Sequence, residues 1–361
     1  VKRNLPRADR ALRIGFVPLV DAAPIALAEE TGLFAKRGLR VELTREPGWA
    51  TIRDKVAYGE LEAVHAPVGL AFALNWGLGV LRQPCLTGWL LNSNGDAITV
   101  SRALHEEGAT DAPSLAATVK AMRRTRPFTF GVPHRFSTHH FLLLHWFRPV
   151  GIVPGRDIHI VVLPPPLMAA CLAAGDIDGY CVGEPYNTLA VREGAGRIVA
   201  ESADILPLHP EKALVVSQHF HDRDPEAHLE LIRALAEAAA QCETRAGREL
   251  AAEILAQPRY LGMDAALIRS SLLAGGNGEG GGIASASFHV FSHPEVNRPD
   301  REKANWLVAQ MRLAGLLGQA DLRSGPLPHH IFREDLHKAA LAPLKKRPAR
   351  RTKDALNPKI P

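Results

Sequence analysis

Pro127-Phe128-Thr129-Phe130-Gly131-Val132, Ile158-His159-Ile160-Val161-Val162-Leu163 and Ile177-Asp178-Gly179-Tyr180-Cys181-Val182 are three short apolar runs. Between the first two lies Ser137-Thr138-His139-His140, which starts a long apolar-faced run to Val150, and after the second comes Pro164-Pro165-Pro166-Leu167-Met168. Strand, helix, strand, helix, strand is the rhythm of a parallel sheet with crossover helices. Such helices begin at the carboxyl ends of strands, where free N–H groups and the helix dipole favour an anion. The stretch therefore predicts an α/β fold that recognises a small anion at its strand ends.

Towards the N-terminus the same rhythm recurs. Leu12–Val17, Leu39–Leu43 and Leu61–His65 read as strands, and Ala22–Phe34, Thr51–Tyr58 and Pro67–Trp76 as helices, with Gly38 where a helix stops. Asn92-Ser93-Asn94-Gly95-Asp96 reads as a turn, because Asn, Gly and Asp tolerate left-handed backbone. Towards the C-terminus Ala213–Val216 is a strand, followed by helices at Pro225–Thr244, Arg248–Gln257 and Ala265–Leu273, and a final helix at Arg301–Leu317 expected to pack on the first lobe. A chain of 361 residues exceeds what one compact core usually holds. The expectation is two lobes, one built from 12–100 plus 208–340 and the other from 101–207. Two connecting strands near 97–103 and 207–216 would flank the cleft between them. Gly275–Gly282 holds six glycines in eight residues but lacks the order of a phosphate-binding loop, and reads as a surface loop.

Hydrophobic content of 46% with 22% charged residues fits a globular protein, and no apolar run reaches the length of a membrane span. The net charge of +5 comes largely from Lys345, Lys346, Arg347, Arg350, Arg351 and Lys353, so 341–361 reads as a basic, disordered tail and no direct nucleic-acid contact is expected. Cys85, Cys171, Cys181 and Cys242 form no C-x-x-C pair and suit a reducing compartment. The basic start Val1–Arg7 carries no apolar segment, which places the protein in the cytoplasm; the periplasm is the alternative if a signal segment precedes Val1.

Candidate ligand groups come from both sides of the expected cleft. Trp49 follows Pro47-Gly48 at a helix start, and Asn94, Gly95 and Asp96 lie in the polar turn. Thr138 and His139 open a helix, Glu184 follows a strand, and Lys212 stands before the returning strand. Each has an ordinary alternative: core for Trp49, a helix cap for His139, a surface site for Lys212, a salt bridge bracing the hinge for Glu184. His139, His140 and His145 lack the i, i+4 spacing of helical metal ligands, and there is no G-x-S-x-G. Binding without catalysis, cofactor or metal is the reading.

These runs resemble the nitrate-binding proteins of ABC transporters, their cytoplasmic nitrate-sensor relatives and bicarbonate-binding members. Gly32-Leu33-Phe34…Gly38-Leu39 carries the resemblance weakly. More specific are Gly48-Trp49-Ala50…Arg53-Asp54-Lys55, Asn92-Ser93-Asn94-Gly95, Gly183-Glu184-Pro185-Tyr186 and His209-Pro210-Glu211-Lys212. The resemblance implies a two-lobed type II periplasmic-binding-protein fold that closes on nitrate, nitrite or bicarbonate. Trp49 would lie against the planar anion, His139 and the N–H groups near Thr138 would donate to it, and Lys212 would balance its charge. Asp96 stands where an uncharged amide is expected, and its carboxylate would repel nitrate. It would either turn aside or pair with Lys212, or bicarbonate could donate a proton to it. Two functions follow from the resemblance: a cytoplasmic sensor that controls an antiterminator partner, or the substrate-binding component of a nitrate or bicarbonate importer.

Overall fold

The computed structural model describes residues 11–273 and 287–343. Its strands are β1 (Leu12–Phe16), β2 (Val41–Arg45), β3 (Ala63–Pro67), β4 (Cys85–Leu86), β5 (Leu90–Asn94), β6 (Asp96–Ser101), β7 (Thr129–Val132), β8 (His159–Val162), β9 (Gly179–Gly183), β10 (Gly196–Glu201), β11 (Pro210–Ser217) and β12 (His289–Val290). They form two sheets. One runs β12-β5-β11-β3-β1-β2, with β4 also on β11, and the other runs β10-β6-β9-β7-β8. The three apolar runs that open the sequence reading become β7, β8 and β9, which pair in parallel, while β6 and β10 join antiparallel.

The chain leaves the first sheet at Gly95 and returns between Glu201 and Pro210. The expected change at 100/101 is therefore five residues late: β6 already pairs with β9, Asp96 opposite Gly183. The expected turn at Asn92–Asp96 is also corrected. Asn92 and Ser93 lie in the ladder with β11, and only Asn94 (φ 59) and Gly95 (φ 95) turn left-handed. The polar cluster marks a crossing from sheet to sheet, not a reversal. Gly95 cannot be replaced freely, since a Cβ there would meet His289 Nδ1 at 2.4 Å in addition to the left-handed strain.

One apolar cluster packs the face of the first sheet against the helices Ala23–Glu30, Pro225–Cys242 and Arg245–Ala256. A second runs through both bodies, from Phe72, Leu74 and Trp49 to Met168, Tyr180 and Val182. The two bodies are thus closed on one another. Gly69 permits the approach, because a Cβ on it would lie 2.0 Å from Phe136 O. The helix expected at Arg301–Leu317 ends at Leu313 and packs on the helix Val68–Trp76 as anticipated, but it is not the last. Three short helices follow, to Leu341. Gly275–Gly282 and residues 344–361 lie outside the described residues. Among the described residues no helix is long and apolar enough to cross a membrane.

Candidate functional site

Where the chain passes between the sheets, charged side chains from five places converge in the interior. Asp21 follows β1, His65 sits within β3, Asp96 opens β6, His139 lies in the first turn of the helix Thr138–Phe147, His209 precedes β11, and Glu211 and Lys212 lie within β11, so that Lys212 is part of the returning strand and does not stand before it. All seven are buried, and Lys212, Glu211, Asp96, His139 and His65 have no exposed surface at all. Burying a charge is costly unless an opposite charge comes with it. Here Lys212 Nζ donates to Glu211 Oε1 at 2.5 Å and stands 2.8 Å from Asp21 Oδ2. Asp21 also faces His65 Nε2 at 2.8 Å. His139 lies between two carboxylates, its Nε2 3.0 Å from Asp96 Oδ1 and its Nδ1 3.4 Å from Glu211 Oε1. His209 Nε2 is 3.4 Å from Asp96 Oδ2 and 3.6 Å from Glu211 Oε2.

The charge states follow from these pairings. Burial disfavours the Lys212 ammonium, yet Asp21, Glu211 and Asp96 outweigh it and carry its pKa above the ordinary lysine range. Burial likewise works against a charged His209, but Asp96 and Glu211 lift it to about 9. Burial would raise Asp96, and His139 and Lys212 instead hold it well below the usual carboxylate range. Asp21 is held low in the same way, by Lys212 and His65 against its burial. Three acidic side chains, Asp21, Asp96 and Glu211, thus share the interior with Lys212 and the histidines His65, His139 and His209. An incoming anion must be matched by a proton or by a positive partner.

Trp49 opens the helix Trp49–Ala57, after Gly48, on which a Cβ would lie 3.7 Å from the side chain of Pro164 of the other body. Its ring lies 5.6 Å from that of His139, and Lys212 Nζ is 5.2 Å from its centroid. The structure therefore brings Trp49, His139, Lys212 and Asp96 together. The resolution foreseen for Asp96, a pairing with Lys212, is only part of the answer: its direct partners are His139 and His209. Thr138 borders the cluster, and its hydroxyl is used inside the protein, donating to Pro210 O at 3.2 Å.

Asn94, Gly95 and Glu184 have other surroundings. Asn94 ties the two crossings together: its Oδ1 accepts from Leu208 N at 2.9 Å and its Nδ2 donates to Ser287 O. Gly95 is the pivot against His289. Glu184 accepts from Thr188 N at 3.1 Å, and its carbonyl accepts from Val20 N at 2.9 Å, joining the bodies next to Asp21. It braces through hydrogen bonds where a salt bridge was the anticipated alternative, and burial pushes its carboxyl up to about 7.

Sequence reading missed Asp21, His65 and His209 as members of the cluster; Glu211 entered it as the neighbour of Lys212 in the run His209-Pro210-Glu211-Lys212. The signals were there. His65 interrupts a fully apolar strand, and Asp21 follows an apolar strand at its carboxyl end, the ordinary place for ligand groups in an α/β sheet. Several of these groups lie within ion-pair distance yet out of line for a hydrogen bond: Asp96 Oδ1, Asp21 Oδ1, both nitrogens of His139, and Glu211 Oε2, together with the indole N–H of Trp49. Buried polar atoms are normally satisfied, and here charged neighbours stand in place of aligned hydrogen bonds. Asp96, His209 and Glu211 also offer three ligand atoms within 4.8 Å of one another, a set that could hold a cation.

Residues 6–256 match the family described as NMT1-like. The chain is 37% identical over 303 residues to the bicarbonate transport ATP-binding protein CmpC of Synechocystis sp., a match covering 83% of this chain and 45% of that one. It is 31% identical over 261 residues to the nitrate/nitrite binding protein NrtA of Synechococcus elongatus, covering 70% of this chain and 59% of that one. The chain spans about half the length of the curated relatives it matches. The crystal structure of the periplasmic nitrate-binding protein NrtA from Synechocystis PCC 6803 superposes with a TM-score of 0.84 at 24% identity, over 91% of this chain and 88% of that one. That likeness establishes the periplasmic-binding-protein fold.

Proposed function

The chain belongs to the NMT1-like family, and on that premise we propose that it is the substrate-binding component of an ABC importer for a small oxyanion, held in the buried cluster between the two sheets. Relatives named for nitrate and bicarbonate transport support this reading over that of a sensor holding an antiterminator. The role is binding: Trp49 offers a flat face, His139 and the N–H groups at the start of its helix donate, and Lys212 supplies positive charge.

The observation that carries the proposal is the convergence of Trp49, His139 and Lys212 around Asp96. Asp96 also orders the substrates. Nitrate presents only lone pairs, so it would meet an ionised carboxylate with like charge. Bicarbonate carries a proton and can donate it in a hydrogen bond to Asp96 while its remaining oxygens accept from His139 and Lys212. The geometry thus favours bicarbonate over nitrate. Calorimetric titration of the purified chain with bicarbonate, nitrate, nitrite and sulfate tests this. Bicarbonate should bind most tightly and sulfate not at all; an absence of binding heat with all four anions would remove the proposal.

A further inference from the structure

The outer edge of the second sheet carries a feature that oxyanion binding does not use. Strand β8 is that edge. His159 N–H donates to Phe128 O at 2.7 Å and Leu163 N–H to Val132 O at 3.0 Å, so alternate residues from 159 face β7. The main-chain groups of Ile160 and Val162 therefore face outwards, and among the described residues neither has an outward partner. Before them, the outward carbonyl of Ile158 is already taken by Gly155 N–H at 2.8 Å.

Beside this open edge lies a groove of about 750 Å³. Its apolar wall includes Val153, Val162 and Leu313, which are 43%, 46% and 57% exposed. Its polar lining is basic, with Arg135, Arg148, His140 and His159, and no lining residue is acidic. Among the described residues neither Arg135 nor Arg148 has a carboxylate partner, whereas Arg123 and Arg156, in a smaller hollow that shares His159, both grip Asp157.

We infer that this groove is a docking site for an acidic, extended segment of a partner protein, which adds a strand beside β8. Its main chain would pair with Ile160 and Val162, its carboxylates would meet Arg135 and Arg148, and its apolar side chains would rest on Val153, Val162 and Leu313. Charge complementarity selects this occupant. A second copy would bring the same arginines against their own kind. The chain's own C-terminal stretch, 344–361, holds seven basic residues and one acidic, and is repelled.

The test uses the full chain and a fluorescein-labelled peptide, Glu-Val-Glu-Ile-Glu-Val-Glu, followed by fluorescence anisotropy. The peptide should bind, and hydrogen exchange should slow at Ile160 and Val162. Affinity should fall about tenfold or more in the Arg135→Glu/Arg148→Glu double variant. A peptide of the same sequence, N-methylated at alternate amides, should not bind, because it cannot extend the ladder, and a lysine analogue should not bind either. Equal binding of the N-methylated peptide, or equal binding to the charge-reversed chain, would mark a diffuse polyanion contact and overturn the inference. So would failure of the acidic peptide to bind the unaltered chain. The N-methylated peptide keeps the question answerable if the double variant does not fold.

Discussion

Positive charge is gathered in two regions of this molecule and handled in opposite ways. At the crossing between the sheets, Lys212 and His209 are wholly buried, and each meets carboxylates within 4 Å. Along β8, Arg135 and Arg148 stand exposed, without a carboxylate partner among the described residues. The difference is one of solvation. In the interior water cannot compensate a cation, so the fold must supply the anion beforehand. At the surface water and salt do that work, and an arginine can wait for a partner. A ligand entering the crossing must therefore compete with Asp21, Asp96 and Glu211 for the donors, and selectivity becomes a matter of what it can offer those carboxylates. A ligand at the β8 edge competes only with water, so its attraction is stronger at long range and fades with salt.

The largest expected effect breaks the interior side of this contrast. Lys212→Met leaves Asp21 and Glu211 facing one another without their common counter-charge. Removing one partner of a buried pair costs about 3–5 kcal/mol. Urea unfolding should show a loss of that order, and adding Asp21→Asn to the variant should recover part of it. If Lys212→Met is as stable as the unaltered chain, the cluster is solvated in a way its burial contradicts.

Nearly as large is the effect of Glu184, which is buried like the cluster but has hydrogen bonds where the cluster has cations. Its carboxyl is raised from 4.5 to about 7, chiefly by burial. A raised pKa means that the folded state holds the proton more tightly than the unfolded chain. Its contribution to stability is therefore complete below pH 4.5 and disappears as pH climbs through 7. The interval corresponds to ~3 kcal/mol. Unfolding free energy measured from pH 4.5 to 7.5 should decline more steeply for the unaltered chain than for Glu184→Gln. Parallel curves would mean that Glu184 is ionised in the folded state and has a cationic partner.

How much of this was legible in the sequence divides along the same line. The runs that became β7, β8 and β9 could be read because a buried parallel strand leaves an unbroken apolar signature that depends on nothing distant. Trp49, His139 and Lys212 were reached through motifs. Their grouping around a carboxylate-rich centre was not, since Asp21 and Glu211 are 190 residues apart in sequence and become neighbours only when β3 pairs with both β1 and β11. The Asn92–Asp96 segment misled because the residues that favour a turn also favour a single left-handed pivot, and only sheet pairing tells the two apart. The open edge at β8 is invisible to pattern reading for a similar reason: Ile160 and Val162 look like core, and which strand ends a sheet is decided by topology.

A smaller effect sharpens the selectivity argument. Asp96→Asn removes the carboxylate that a proton-bearing anion can satisfy and nitrate cannot. Binding of nitrate relative to bicarbonate should improve about tenfold or more, ~1.4 kcal/mol. Calorimetry on the same pair of anions before and after substitution reads this directly. If both affinities change in equal proportion, Asp96 acts on the anion's charge alone and its proton plays no part.

The smallest expected effect lies at the surface. Arg148→Ala removes a guanidinium that has no carboxylate partner to strand, so stability should stay within about 0.5 kcal/mol of the unaltered chain, as for most surface substitutions. The same change at Lys212 is expected to be several times more costly, although both remove one positive charge. Thermal unfolding of the two variants side by side compares a buried with an exposed cation at equal loss of charge. A large loss at Arg148 would mean that the groove is closed by contacts from within the chain. In that case the open edge of β8 would already be occupied, and the contrast between a charge balanced in advance and a charge left waiting would no longer hold.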